Sequence, residues 1–191
     1  MPTIITHSIA GIASGTAVRG ESLPIRFWLI SVICSIIPDA DVISFKLGIP
    51  YAHFFGHRGF FHSLFFACVL GSLVGIFLMN TREWKPRLFF AGYFSYLIFF
   101  HEILDAFTNG GLGIALLSPF TSKRYFFWAT PIEVSPISLE VFFNGRALAI
   151  LQNEFFWVWL PCICLALLFR IFGKNRQRGN LFIDYLALGK D

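Results

Sequence analysis

Long apolar runs alternate along the chain with short segments that carry most of its charged side chains. A transmembrane helix needs about 20 mainly apolar residues, so runs of this length predict membrane-spanning helices. Five segments fit this pattern, the first of them short: residues 4–18, 26–43, 62–79, 86–107 and 155–172. The pattern predicts an all-α fold, a polytopic membrane helical bundle with about five transmembrane segments.

The stretch between the fourth and fifth segments, residues 109–153, breaks this pattern. It contains several glycines and prolines and lacks an apolar run long enough to span. These features predict irregular structure at the extracytoplasmic surface, with a re-entrant piece around residues 112–120. We therefore expect one membrane-embedded helical domain over residues 1–173. A basic cytoplasmic tail, residues 174–191, follows with a short amphipathic stretch at 181–188.

The composition agrees with a membrane protein. Of 191 residues, 56% are hydrophobic and 14% are charged, whereas a soluble domain carries about 25% charged residues on its surface. The net charge of +4 does not predict nucleic-acid binding, because the basic residues lie in short segments between apolar runs. We expect the lipid bilayer as a partner and no nucleic acid, and the sequence leaves the oligomeric state open.

Lys and Arg divide unevenly between the two sides of such a bundle. If all five segments span, ten lie on one side and five on the other, which predicts that the first side is cytoplasmic. The N-terminus then faces outward and the C-terminus faces the cytoplasm. The ten are Arg19, Arg26, Arg82, Lys85, Arg87, Arg170, Lys174, Arg176, Arg178 and Lys190, and the five are Lys46, Arg58, Lys123, Arg124 and Arg146.

The same topology gathers all the histidines and several aspartates at the extracytoplasmic face. Scattered structural residues would not sort in this way, so we predict a metal site there. His53 also lies on that side and is expected to be an interfacial or supporting residue. The candidate metal ligands are His7, Asp39, Asp41, His57, His62, His101 and Asp105.

His101 and Asp105 form the strongest local motif. They are four residues apart, so on a helix their side chains share one face and can hold one ion. A charge at the bilayer centre costs about 2.5–3.5 kcal/mol, and a divalent ion would offset the cost that remains near the end of a span. The alternative is an interfacial histidine that hydrogen-bonds the aspartate without a metal.

Pro38 follows an apolar run and is expected to end or kink the second helix, which leaves Asp39 and Asp41 at its C-terminus. Acidic groups there oppose the helix dipole and favour a compensating cation. The alternative is ordinary helix termination with solvated acids. An aspartate left free by the metal, Asp41 for instance, is the predicted general base. Arg58 is predicted to bind an anionic substrate oxygen or, alternatively, to snorkel to the lipid headgroups.

The candidate ligands supply imidazole nitrogens and carboxylate oxygens without thiolates. That donor set suits zinc, with manganese and iron as alternatives, in a site of one or two ions. Such a site activates water and polarises a carbonyl or phosphoryl oxygen, which predicts hydrolysis of an ester or phosphoester. Lys123 and Arg124 lie among aromatic residues that suit the headgroup region and are also expected to face the substrate.

In their order and combination, these motifs resemble the YdjM-like family of membrane-bound metal-dependent hydrolases over roughly residues 1–135. The matching pieces are His7, Pro38-Asp39-Ala40-Asp41, His57-Arg58-Gly59, His62-Ser63, His101-x-x-x-Asp105 with Thr108 and Gly110 or Gly111, and Ser118-Pro119-Phe120.

That family is grouped distantly with zinc-dependent phospholipases C and single-strand-specific zinc nucleases. The resemblance implies a phosphoester hydrolase with histidine and aspartate ligands. We expect it in a bacterial-type inner membrane, with its active site on the extracytoplasmic face that the Lys and Arg count predicts. His101 and Asp105 correspond to the His-x-x-x-Asp motif of those enzymes. The soluble enzymes complete three metal positions with later histidines and a glutamate. No histidine follows His101 in this chain, so one or two ions are expected.

The leading hypothesis is a metal-dependent hydrolase that cleaves a phosphoester of a lipid or lipid-linked substrate with a metal-activated water. A metal-ion or proton transporter is one alternative, and it requires ionisable residues distributed through the membrane depth. A membrane adaptor with a structural metal is another, and it requires a closed site with four fixed ligands. The sequence does not identify the substrate.

Overall fold

The computed structural model describes residues 1–18, 23–79 and 83–173, and the elements found there are helical apart from isolated β-bridges. The predicted tail at 174–191 lies outside the described residues, as do six of the basic residues behind the sidedness prediction. The sidedness therefore stays a prediction. The helices are α1 (Ile4–Ala17), α2 (Ile25–Ile36), α3 (Ile43–Lys46), α4 (Leu64–Phe77), α5 (Trp84–Ala106), α6 (Leu139–Phe143), α7 (Ala147–Glu154) and α8 (Leu160–Gly173).

Each of the five predicted spans corresponds to a helix. Three helical stretches are long and apolar enough to cross a membrane: Ile25–Lys46, Trp84–Ala106 and Ala147–Ile171. Helices α1 and α4 have 14 residues each, about 21 Å of helix, which is less than the roughly 30 Å of hydrocarbon that a full span crosses. The helical fold is confirmed, and the five-span topology stays a prediction.

The second span continues past its proline. Helix α2 ends at Ile36, as the proline predicts, because Pro38 has no N–H for an α-helical hydrogen bond. The chain then forms a 3-10 helix, Ile37–Val42, and passes directly into α3. Asp39 and Asp41 therefore lie on a helical turn, which fixes the direction of both carboxylates.

The prediction that residues 109–153 are irregular is wrong in its last part. Helix α6 and all but the last residue of α7 lie within this range, and a π-helix, Phe155–Trp159, joins α7 to α8. The apolar pattern did not predict α7, because its C-terminal residues are polar and Glu154 interrupts the apolar run. Its carboxylate is buried against α1, so the residue does not mark a surface loop. Residues 112–120 consist of turns and extended chain, with an isolated bridge between Ile114 and Tyr125, and their re-entrant placement stays a prediction.

Helix α4 packs along α5 through two glycines. A β-carbon on Gly71 would overlap the Ser95 backbone, and one on Gly75 would overlap that of Ala91. Small residues at such positions let two helix backbones approach closely in a membrane, as the sequence spacing of these glycines indicates. This contact fixes the end of α5 beside the segment that leads into α4.

We expect Gly71→Ala to lower the free energy of unfolding by about 1–3 kcal/mol, because an added methyl group overpacks the α4–α5 contact. Gly92→Ala in α5 is the matched control, since no atom of the described residues, apart from its own helix backbone and chain neighbours, lies within 4 Å of its β-carbon position. That control should be neutral or stabilising by up to about 1 kcal/mol. Unfolding in mixed micelles with increasing dodecyl sulfate would measure both, and equal effects would contradict the packing assignment.

Candidate metal centre

The structure brings the seven predicted ligands together from four parts of the chain. His7 projects from α1, the two aspartates from the 3-10 helix after α2, and two histidines from the segment before α4. His101 and Asp105 project from the last turns of α5. None of the seven is more than 5% exposed. His53 lies outside this cluster, where its ring accepts a hydrogen bond from the Phe55 backbone.

A hydrogen bond at His101 and a close carboxylate at His62 indicate the tautomers of the two histidines at the centre of the cluster. The Nδ1 of His101 lies 2.8 Å from the Ser35 carbonyl, and the Nδ1 of His62 lies 3.0 Å from Asp41. Because a carbonyl and a carboxylate only accept, each Nδ1 carries the proton. The two Nε2 lone pairs then face each other across 3.2 Å. Two lone pairs at this distance repel each other unless they share a cation.

Two carboxylates complete a set of four donors around that point. The Asp39 Oδ1 lies 3.5 Å from the His101 Nε2 and 3.6 Å from the His62 Nε2, and the Asp105 Oδ2 lies 3.5 Å from the His62 Nε2. Tetrahedral metal–ligand bonds of about 2.0–2.2 Å place neighbouring ligand atoms about 3.3–3.6 Å apart. The spacing of these side chains therefore fits a single divalent ion.

His7 stands at the opposite oxygens of the same two carboxylates. Its Nε2 lies 3.5 Å from the Asp105 Oδ1 and 3.8 Å from the Asp39 Oδ2, and its ring stacks on His101 with centroids 3.8 Å apart. Neither nitrogen of His7 nor either oxygen of Asp39 has a hydrogen-bond partner among the described residues, although all four atoms are buried. Buried polar atoms rarely lack a partner, and a bound cation could satisfy these atoms.

Asp41 is surrounded by donors. It accepts hydrogen bonds from the His57 Nδ1 at 2.5 Å and the Arg58 backbone at 2.9 Å, and its Oδ2 lies 3.0 Å from the His62 Nδ1. With His57 and His62 it forms a second group that could hold an ion. Both of its oxygens are occupied, so the geometry fits a residue that orients histidines better than the free general base predicted from the sequence.

The carboxylates also set the electrostatics around His62. Asp41 and Asp39 bring buried carboxylate oxygens to 3.0 Å and 3.6 Å from its ring nitrogens. The centre therefore attracts positive charge, either as a proton or as a metal cation.

Arg58 is buried inside the protein. Its side chain is fully buried, its Nε pairs with the Asp105 Oδ2 at 2.9 Å, and its other nitrogens donate to the Gly110 carbonyl and the Thr108 hydroxyl. It adopts a φ of 58°, a left-handed conformation that is strained for a residue other than glycine. The snorkelling alternative is therefore wrong, because the guanidinium is a buried counter-ion of Asp105 and does not reach the headgroups.

The two basic residues expected to face the substrate differ in position. The guanidinium of Arg124 donates to the carbonyls of Tyr51, His57 and Arg58, so it holds the loop that carries His57 and Arg58. Lys123 is exposed, with its Nζ 5.4 Å from the Tyr125 ring centroid. Only Lys123 stands where an external ligand can reach it.

Glu102 is a member of this region that the sequence reasoning did not select. It follows His101 on α5, is fully buried, and neither carboxylate oxygen has a hydrogen-bond partner among the described residues. The available signal was an acidic residue inside a predicted span, which marks a functional position by its desolvation cost alone.

Comparison with known proteins agrees with the family resemblance. The family described as YdjM inner membrane protein matches residues 1–177. The chain is 36% identical over 171 residues to the inner membrane protein YbcI of Escherichia coli (strain K12), a match that covers 86% of this chain and 95% of that protein. No solved structure matches. The distant similarity to phospholipases C and zinc nucleases stays a prediction. The chain belongs to the YdjM inner membrane protein family.

Proposed function

We propose that this protein is a metal-dependent hydrolase of the inner membrane that cleaves a phosphoester in a lipid or lipid-linked substrate. The observation that supports this most directly is the set of four buried donors around one point, with two imidazole lone pairs 3.2 Å apart. Zinc fits this donor set best, and manganese or iron are the alternatives. A divalent ion bound there would lower the pKa of water and polarise a phosphoryl oxygen.

The side chains of the centre have different proposed roles: metal ligand, orienting residue and counter-ion. Asp39, His62, His101 and Asp105 hold the first ion, and Asp41 orients the His62 ring through its Nδ1 proton. His7, with the far oxygens of Asp39 and Asp105, provides the position for a second ion. Arg58 holds the Asp105 carboxylate in place and limits the negative charge of the centre.

The membrane setting suggests the substrate class. The candidate metal centre lies where α1 begins and α5 ends, near the ends of apolar helices. We therefore expect it at the depth of the lipid phosphate groups. The exposed aromatics Phe120 and Trp128 and the nearby Lys123 suit the headgroup region on the same side. We place this face on the extracytoplasmic side and the C-terminus in the cytoplasm, following the Lys and Arg count.

The burial of the ligands supports a second candidate. Because all seven are at most 5% exposed, the centre also suits a structural metal in a membrane adaptor, which has no open coordination position. The two functions differ in one measurable property, since only the hydrolase requires metal for turnover.

We expect the detergent-purified protein, loaded with zinc or manganese, to release water-soluble phosphate compounds from vesicles of phosphatidylethanolamine and phosphatidylglycerol. His62→Ala should lower this rate at least about 100-fold, because it removes one ligand of the first ion. His53→Ala should keep the wild-type rate, since His53 is exposed and outside the cluster. Bound metal without turnover on these lipids or on bis(p-nitrophenyl) phosphate would favour the adaptor.

A further inference from the structure

Glu154 is a buried carboxylate at the far end of the chain from His7, yet it contacts the helix that carries His7. It is fully buried at the end of α7. Its oxygens accept hydrogen bonds from the Thr3 backbone at 2.5 Å, the Thr3 hydroxyl at 2.6 Å and the Thr6 hydroxyl at 2.5 Å. All three donors belong to the first turn of α1 or its N-cap. A carboxylate at a helix N-terminus is favoured by the helix dipole, so this contact anchors that end of α1.

The π-helix after Glu154 explains how a second residue reaches the same threonine. The indole Nε1 of Trp159 donates to the Thr6 hydroxyl at 2.6 Å, and that hydroxyl in turn donates to Glu154. Residues five apart in an α-helix lie about 140° apart around the axis. In the π-helix, hydrogen bonds run from residue i+5 to residue i, as between the Leu160 N–H and the Phe155 carbonyl. The wider turn brings Glu154 and Trp159 to one face.

The position of His7 depends on this anchor, because no hydrogen bond among the described residues holds its ring directly. His7 follows Thr6 directly, and neither ring nitrogen makes a hydrogen bond among the described residues. The ring stacks on His101, and the backbone of α1 determines where the side chain begins. The middle of α1 packs closely against Ser35 of α2 at Gly11, and Glu154 holds the first turn of α1 by hydrogen bonds. A small movement of that turn would displace the His7 Nε2 from Asp39 and Asp105.

We propose that Glu154 is a positioning residue, which together with Trp159 clamps the first turn of α1 and thereby places His7 at the metal centre. The inference rests on the proposed metal-binding function of that centre. It assigns a role to the α7–α8 segment that the ligands themselves do not reveal.

A double-mutant cycle on metal affinity tests the proposal. Zinc affinity is measured on the full-length purified protein for wild type, Glu154→Gln, His7→Ala and the double variant. We expect Glu154→Gln to weaken zinc binding about tenfold in the wild-type background, as expected when a residue that orients a metal ligand is lost. In the His7→Ala background, Glu154→Gln should cause no further loss of zinc affinity. Glu140→Gln, an exposed carboxylate on α6, is the matched control and should keep wild-type affinity.

Trp159→Phe removes the indole N–H but keeps an aromatic ring at this position, and it provides the same cycle if Glu154→Gln does not fold. We expect a smaller loss of affinity that again disappears in the His7→Ala background. Equal losses in both backgrounds, or no loss in either, would overturn the positioning role while leaving the metal centre standing. A wild-type protein that binds no zinc or manganese would instead overturn the proposed function, and this inference with it.

Discussion

His101→Ala and Asp105→Ala are each expected to weaken metal binding at least about 100-fold, the largest effect on binding among the predictions made for this chain. His101 contributes the Nε2 that faces the His62 Nε2 across 3.2 Å, so its loss removes a quarter of the first donor set. Asp105 contributes one oxygen to that set and the other to the His7 side. The Asp105 variant should therefore lose both ions, and the His101 variant chiefly the first.

Elemental analysis of protein purified without chelator and then reconstituted would measure this loss. His53→Ala is the matched control, because His53 is an exposed histidine outside both groups of candidate ligands found among the described residues. Wild-type zinc content in both ligand variants would show that the four donors do not hold the ion. The cluster would then be a hydrogen-bonded network of histidines and aspartates, the alternative that the sequence also allows.

The candidate ligands could be found from the sequence because each lies near the end of an apolar segment. Such positions follow from segment length and helix rise alone, so Asp39 at the end of α2 and His101 near the end of α5 could be placed at one face before any contact was known. The spacing of His101 and Asp105 also fixed their shared helix face. Local pattern was sufficient for these residues because helix geometry is regular.

The roles within the cluster could not be found in this way, because they depend on contacts between distant segments. The occupied oxygens of Asp41 depend on a loop that Arg124 holds from 66 or more residues away. Glu154 has partners 148 and 151 residues away, so in the sequence it was only a polar break before an apolar run. Arg58 suggested a substrate ligand because its buried partner on α5 is not visible in the local sequence.

Arg58→Ala is expected to lower the free energy of unfolding by about 3–5 kcal/mol, because removing one partner of a buried ion pair leaves the other charge uncompensated. Asp105 would keep a buried carboxylate without its guanidinium 2.9 Å away, and the Gly110 carbonyl and the Thr108 hydroxyl would each lose a donor. Unfolding in mixed micelles with increasing dodecyl sulfate gives this quantity. Arg146→Ala is the matched control, since the Arg146 side chain is 63% exposed in its pair with Glu133 and such pairs contribute about 0–1 kcal/mol.

The cause of this destabilisation can be separated from simple loss of packing. If the uncompensated charge of Asp105 is responsible, adding Asp105→Asn to Arg58→Ala should recover part of the lost stability, because the second change removes that charge. Saturating zinc should also stabilise Arg58→Ala more than it stabilises the double variant, since Asp105 remains able to share the cation in the single variant alone. The opposite result would be additive losses of unfolding free energy from the two substitutions, with equal stabilisation of both variants by zinc. That result would show that Arg58 acts through packing and not as the counter-ion of the metal centre.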